Sequence, residues 1–513
     1  MKYTLKMLPV IFLAGFAGIT ASAQTKAYNI KRYGAIADGK TNNTTSIQKA
    51  IDEASVNGGG LVMVPAGMFV TGVLNLRSNV ELHLNKGAFL LGSTVRADYG
   101  EGKASALIVS THQQRIAITG PGVIDGQGDD LLKDIYRRLN AGTLVDTEWR
   151  KPNPWHQVRP TEDNRPKLIE FKNCDHIQLR DVTIKHGLCW IENYKNCTNL
   201  VIDSIKVESN TFWNNDGIDI VDCKNVRLTN SFFNVADDGI CLKSEDAEGA
   251  CENVYVNNCR VRSSASAVKF GTASRGGFKN IKIDHISVYD TYRSAIAIES
   301  VDGALLEDVD IRNVTAVNTG NAIVVRLGHR DKNGPMSVLR RIYIGNVKVD
   351  VPAGKPDAGY PMEGPVVGAP HNVIPSSITG IPGARVEDVM LENITINYHG
   401  NVKKEVPRFN TDTLEKIPEK IPDYPEFSMF GELPAWGFYI RHADGIKIKN
   451  MVLTCSGSDY RPAIVADDVK GLSLIKIDIP QAKAPVLILN KVSGQELNDI
   501  KIPGNPRQNI RIQ

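Results

Sequence analysis

Two short acidic runs carry the residues most capable of chemistry. The first is Asn214-Asn215-Asp216-Gly217-Ile218-Asp219, and the second is Ala236-Asp237-Asp238-Gly239-Ile240. Each alone is an ordinary turn sequence, because Asn, Asp and Gly accept turn geometries easily. Brought together, Asp216, Asp237 and Asp238 would form a crowded carboxylate site. Crowding and burial raise the pKa of one carboxyl, which then keeps a proton beside neighbours that remain ionised. Hydrolysis of a glycosidic bond uses that combination: a proton for the leaving oxygen and a base for water. Downstream lie Arg293, Arg326, His329 and Arg330. Each suits an anionic ligand and equally suits a solvated edge. Cysteines and histidines do not alternate at metal-ligand spacing.

A scaffold must bring the two runs together, and the sequence supplies one. Short strand-like segments recur, each opened by a polar pair. Their first apolar members are Ile177, Leu200, Val226, Val254, Ile281, Val309, Ile342, Val389, Ile446 and Leu472, at spacings of 23, 26, 28, 27, 28, 33, 47, 57 and 26 residues. Alternation follows most of them, as in Ile281-Lys282-Ile283-Asp284, the pattern of a half-buried strand. A period in the twenties with several strands per repeat predicts stacked coils. Leucine-rich repeats share the period, but their leucine-asparagine signature and helices are missing. A sandwich or propeller would need hairpin turns that rarely fall between these strands. The fold class is therefore all-β, a parallel β-helix. Asp216 lies sixteen residues past Leu200, and Asp238 twelve past Val226. The offsets alone do not prove that they meet, although adjacent coils are only about 4.8 Å apart.

The enlarged spacings mark excursions from the solenoid, at about 129–167, 350–385 and 401–436. The last holds Pro407, Pro418, Pro422, Pro425 and Pro434 beside Tyr424, Phe427, Phe430 and Trp436. Prolines forbid ladder strands there. Such loops either wall a ligand groove or cover a sheet. Near the start, Thr45-x-x-Gln48 offers a capping box, and Ile47, Ala50, Ile51 and Ala54 line one helix face. This helix is expected to plug the open end of the solenoid core.

Residues 1–23 are expected to be a signal peptide: Lys2 and Lys6, an apolar run over 8–18, then Ala21-Ser22-Ala23. Residues 24–513 then form one catalytic β-helix, exported to the periplasm or beyond. The net charge of +3 falls to about +1 without that peptide, which leaves no electrostatic footprint for nucleic acid or a membrane surface. No later stretch is apolar enough to enter a membrane. Seven of the eight cysteines fall between 174 and 259, several at the same point of the repeat. They read as buried small hydrophobes rather than bridges. Oligomeric state is not legible.

The ordered set of motifs resembles the polygalacturonase-like glycoside hydrolases of family 28. Tyr33-Gly34-Ala35, Gly58-Gly59-Gly60, Val64-Pro65-Ala66-Gly67 and Gly122-Val123-Ile124-Asp125-Gly126 are similar to that family's opening segments. The Asp216 run resembles its Asn-Thr-Asp-Gly-x-Asp motif, Asp237-Asp238 its Asp-Asp pair, and Lys243-Ser244 the ending of this segment in many bacterial members. The resemblance implies a right-handed, pectin-lyase-like β-helix and a pectic polysaccharide substrate. It makes Asp237 the general acid and Asp216 and Asp238 the groups that activate water, with inversion at the anomeric carbon. On this reading Asp219 is structural, and the resemblance implies neither a metal nor an organic cofactor. Substrate contacts would come from Lys243, Arg293, Glu299, Arg326 and His329. Two departures stand out. Ser264-Ala265-Ser266 occupies the place of the family's Gly-His-Gly, and Ala297-Ile298-Glu299 that of its Arg-Ile-Lys. The second removes two cations that would grip a galacturonate carboxylate. A rhamnogalacturonan or other branched pectin is the alternative substrate. A non-catalytic glycan-binding β-helix and a calcium-dependent pectate lyase are the rival classes.

Overall fold

A computed structural model describes residues 26–153, 158–365, 371, 374–400, 411–481 and 485–513. The expected signal peptide lies outside the described residues. Among them, no helix is long and apolar enough to cross a membrane.

The chain winds as a right-handed parallel β-helix. Each turn contributes strands to three ladders, and every strand-to-strand pairing between the named elements is parallel. The first ladder aligns the predicted apolar markers directly: Ile177 with Leu200, Val226, Val254, Ile281, Val309, Ile342 and Val389 in succession. These side chains are buried in one continuous core. Each such aliphatic burial contributes roughly 1.5–3 kcal/mol. The growing spacings of 33, 47 and 57 residues leave this ladder in register, because the extra residues leave the coil elsewhere.

The polar pair before each marker has a physical task. Asn199, Asn225, Asn253 and Asn280 all sit at positive φ, between 54° and 58°, a region Asn tolerates better than other side chains. Their amides also stack. Asn225 donates to Asn199 at 3.1 Å, Asn253 to Asn225 at 3.1 Å and Asn280 to Asn253 at 2.6 Å. The corner is thus fixed by one residue type that supplies both the backbone bend and the link between coils.

All eight cysteines are buried and free, in line with the small-hydrophobe reading. Helix α1, Thr44–Val56, buries Ile47, Ala50, Ile51 and Ala54 against the core, as its apolar face predicts. The capping box is not formed. The helix starts two residues earlier than that box requires, with Asn43 at the N-cap position; Asn42 Oδ1 accepts from the Thr44 amide and hydroxyl, and Gln48 turns instead to Asn75 and Asp52. The 129–167 excursion also corrects the expectation of a plain loop. It opens with helix α2, Gly128–Asn140, whose Leu131, Ile135 and Leu139 are buried. Their i, i+4, i+8 spacing was present in the sequence.

Candidate functional site

The third ladder decides which carboxylates meet. Ile218 pairs with Ile240, so Asp216 and Asp238, each two residues earlier, stand side by side. The unequal offsets are absorbed at residues 210–214, which fold Phe212 and Trp213 into the core. The backbones are tied here: Gly217 N–H donates to the Asp238 carbonyl at 2.8 Å, and Asp237 N–H to the Asn215 carbonyl at 3.3 Å. The glycine after each aspartate is required by this approach. A Cβ on Gly217 would lie 2.5 Å from the Gly239 carbonyl oxygen, and one on Gly239 would lie 2.3 Å from Val261.

One oxygen of Asp216, one of Asp238 and the Cys241 sulfur all lie within 4.8 Å of one another. Burial holds the Cys241 thiol far above its usual range, so it stays protonated. Asp216 and Asp219 share the buried ammonium of Lys243, at 3.0 and 2.5 Å, which also lies 3.6 Å from the centre of the Trp190 ring. On Asp238, Oδ1 accepts the Ser266 amide at 3.0 Å and Oδ2 lies 3.1 Å from Lys269 Nζ. Lys269 also lies 3.9 Å from Glu299 and donates to the Tyr424 hydroxyl at 3.3 Å.

Asp237 differs from its neighbours in being partly exposed. Its Oδ1 accepts the Asp238 amide at 3.0 Å. It lines a cavity of about 350 Å³ together with Trp213, Asn214, Arg293, Pro365, Tyr424 and Glu426. Arg293 meets Glu426 at 3.3 Å.

Burial and charge push these carboxyls in different directions. Asp237 is raised to about 7, first by burial and then by Asp216 and Asp238. Asp216 is raised to about 8 by burial, Asp219 and Asp238, against the pull of Lys243. Burial acts upward on Asp238 too, but Lys269 and Arg293 outweigh it and hold this carboxyl below the usual carboxylate range. Glu299 is raised to about 7 by burial, with Lys269 opposing. The cluster therefore contains one carboxylate kept ionised beside partners that retain protons near neutrality.

The remaining sequence candidates fall in different places. Lys243 is engaged inside the cluster by Asp216 and Asp219. Arg326 is 1% exposed and donates to the carbonyls of Gly380, Glu419 and Lys420 at 3.1, 2.8 and 3.0 Å. It anchors the 411–436 loop instead of facing a ligand. The His329 amide donates to the Ile421 carbonyl at 2.9 Å, and Arg330 pairs with Asp302. Arg293 does reach the cavity. Lys269 is the ladder partner of Ala297 and lies 3.9 Å from Glu299, but it is buried and paired with Asp238. Lys269, Trp213 and Glu426 escaped the sequence reading. The register places Lys269 opposite Cys241, which in turn stands opposite Asp219. Nothing local marks Glu426.

The site thus sits on a three-sided parallel β-solenoid, with a buried carboxylate–ammonium cluster that opens to a cavity. The family model "Glycosyl hydrolases family 28" matches residues 59–357. A second model, "Rhamnogalacturonase A/epimerase, pectate lyase-like", matches residues 27–88. The chain belongs to glycosyl hydrolases family 28. It is 28% identical over 382 residues to an exo-poly-alpha-D-galacturonosidase of Dickeya chrysanthemi, covering 64% of this chain and 62% of that protein. It thus spans less than two thirds of that relative's length. A probable polygalacturonase of Vitis vinifera is 25% identical over 443 residues, covering 79% of this chain and 80% of that one. Among solved structures, an exopolygalacturonase from Thermotoga maritima aligns with a TM-score of 0.56 at 24% identity, over 73% of this chain and 87% of that one. The family 28 exopolygalacturonase of Yersinia enterocolitica aligns with a TM-score of 0.58 at 18% identity, over 94% and 80%. At these identities the structures speak for the fold.

Proposed function

We propose that residues 24–513 act as one inverting glycosidase that hydrolyses α-linked, galacturonic-acid-containing pectic chains. Asp237 is the general acid, and Asp216 and Asp238 activate the water. The observation that carries this reading is the split within the cluster: Asp237 faces the cavity and is raised to about 7, whereas Asp238 is held low. Asp237 delivers its proton to the glycosidic oxygen as the bond to the anomeric carbon breaks. A water within reach of both Asp216 and Asp238 loses a proton to the ionised carboxylate and attacks from the opposite face, which inverts the configuration. Asp219 and Lys243 hold Asp216 in place.

Substrate contacts come from Arg293, the cation on the cavity wall, and from Tyr424, whose exposed ring suits a sugar face. Tyr424 and Glu426 come from the 411–436 loop and Pro365 from the 350–385 excursion. Walls from two loops favour exo action on a chain end, an activity also named for the Dickeya relative. A branched or rhamnogalacturonan-type substrate is the second reading. The match of residues 27–88 to the rhamnogalacturonase model and the lack of histidine in Ser264-Ala265-Ser266 favour it.

The test is product analysis on polygalacturonate, rhamnogalacturonan and branched pectin fragments at equal reducing-end concentration. Release of saturated products, unaffected by chelator, supports the hydrolase. Unsaturated ends that vanish with chelator would identify a calcium-dependent lyase. Binding without any product would leave only a glycan-binding role. Rhamnogalacturonan or branched fragments outpacing polygalacturonate would establish the second reading.

A further inference from the structure

We propose that Lys269 is a positioning residue for the reaction: from the coil beyond the aspartates it holds the Asp238 carboxylate ionised and aimed at the water, under a cover supplied by Tyr424. The inference rests on the acid–base reading above and adds a residue that the aspartate motifs do not include.

The geometry supports it from three sides. Register places Lys269 directly beside Cys241, one coil on, and beside Ala297 on the next. From there its ammonium lies 3.1 Å from Asp238 Oδ2, on the opposite carboxylate oxygen from the Ser266 amide. Asp238 is therefore gripped at both oxygens, which fixes the plane of the carboxylate. Lys269 is 1% exposed, and an ammonium taken that far out of water needs carboxylate partners to remain charged. Asp238 and Glu299 provide them, and Tyr424 accepts its remaining contact while its ring lies 5.4 Å away. The other charged groups around Asp238 are Arg293 and Lys243 on the positive side and Asp216, Asp219 and Asp237 on the negative. Lys243 already serves Asp216 and Asp219. Arg293 pairs with Glu426 at 3.3 Å on the cavity wall and acts on Asp238 only through space. Among the described residues, Lys269 is thus the cation within ion-pair distance of Asp238.

Glu299 has a matching task. It carries no hydrogen-bond partner on Oε2 and stands behind Lys269 as a second carboxylate. Its Oε2 lies 3.9 Å from the Lys269 ammonium. Tyr424 comes from 155 residues away, so seating of the 411–436 loop shields the Lys269–Asp238 pair from water. Shielding strengthens the interaction between them.

The test uses the full-length protein with Lys269→Met, Lys269→Arg and the double substitution Lys269→Met/Glu299→Gln. The double variant avoids leaving Glu299 as an unpaired buried charge. An opposite charge at this distance lowers a carboxyl pKa by roughly 1–3 units. The acidic limb of the kcat profile should therefore move up by roughly 1–3 pH units in both Met variants, with kcat falling and KM little changed, and Lys269→Arg should restore the limb. In parallel, infrared titration of the carboxyl stretch, with Asp238→Asn as the subtraction, reads the Asp238 pKa whether or not the enzyme turns over. An upward shift there in the double variant supports the inference. An unmoved Asp238 pKa overturns it. So does a rise in KM with an unmoved limb, which would make Lys269 a substrate contact. If the titration shifts while no pectic substrate is cleaved by the unaltered protein, the glycosidase reading fails and the positioning of Asp238 by Lys269 stands.

Discussion

Replacing Asp237 with asparagine separates the chemistry of the site from its stability. The substitution keeps the planar side chain and its Oδ1, so the bond from the Asp238 amide at 3.0 Å is retained. It removes the proton that the aspartic acid carries up to about pH 7. Loss of a general acid costs roughly 10²–10⁴-fold in turnover, and kcat should fall by that amount with KM nearly unchanged. The stability change follows from the same shift. Asp237 has a folded-state pKa near 7 against an ordinary 3.8, so the folded protein binds more protons between these values. Stability contributed by this residue therefore declines as pH rises through that window. Each unit corresponds to about 1.36 kcal/mol, and asparagine does not ionise. The variant should match the unaltered protein near pH 4 and be more heat-stable at pH 8. Initial rates of reducing-end release between pH 4 and 9, with melting curves at the two extremes, measure both effects. In the unaltered enzyme the rate should fall tenfold per unit above about pH 7 as Asp237 ionises. The variant's residual activity should lack that basic limb. Near-normal turnover, or a basic limb that survives the substitution, would show that another group delivers the proton.

Other outcomes follow from the geometry. Arg326→Ala removes three donors to backbone carbonyls; it should raise KM more than it lowers kcat and expose residues 411–436 to limited proteolysis, and an unchanged cleavage pattern would count against the anchor. Asn253→Ala leaves an alanine at φ 56° and breaks two links of the ladder; it should lower stability by about 1–3 kcal/mol in denaturant titration while leaving kcat unchanged. Glu192 is raised from 4.5 to about 8 by burial, with the Tyr194 hydroxyl opposing. The folded state therefore binds the extra proton and loses stability as pH rises from about 4.5 to about 8. Glu192→Gln should flatten the fall in melting temperature across that range, and an equally steep fall would place the titrating group elsewhere.

Much of this protein is one-dimensional, and that part was legible in the residues. The markers from Ile177 to Val389 align in one ladder because each coil repeats the same local choice: a left-handed polar residue (Asn or Asp in most coils, His176 and Arg341 in two), then an inward aliphatic, then alternation. Neither step depends on distant chain. The Asn-Asp-Gly and Asp-Asp-Gly runs were legible for the same reason, since the glycine is demanded by the next coil only a short way along the sequence. The cap of α1 and the existence of α2 were not read correctly. The first turned on which of Asn42, Thr44 and Thr45 won the amide, and the second on an apolar face hidden in a polar excursion.

Tertiary structure decided the rest. Sequence counting put Asp216 and Asp238 at unequal offsets. Only the pairing of Ile218 with Ile240 shows that residues 210–214 bulge and let the two carboxylates stand together. Ala297 and Glu299 stand where two cations were expected, yet Lys269 from the preceding coil lies beside them, because parallel stacking makes neighbours of residues 28 apart. Tyr424 and Glu426 reach the site across more than 130 residues of chain, and Arg326 turns away from the cavity to hold their loop. Contacts of that range depend on how a loop returns over a rigid solenoid. No local pattern encodes the return, because the residues that meet belong to elements whose sequences constrain each other only after the coils have stacked.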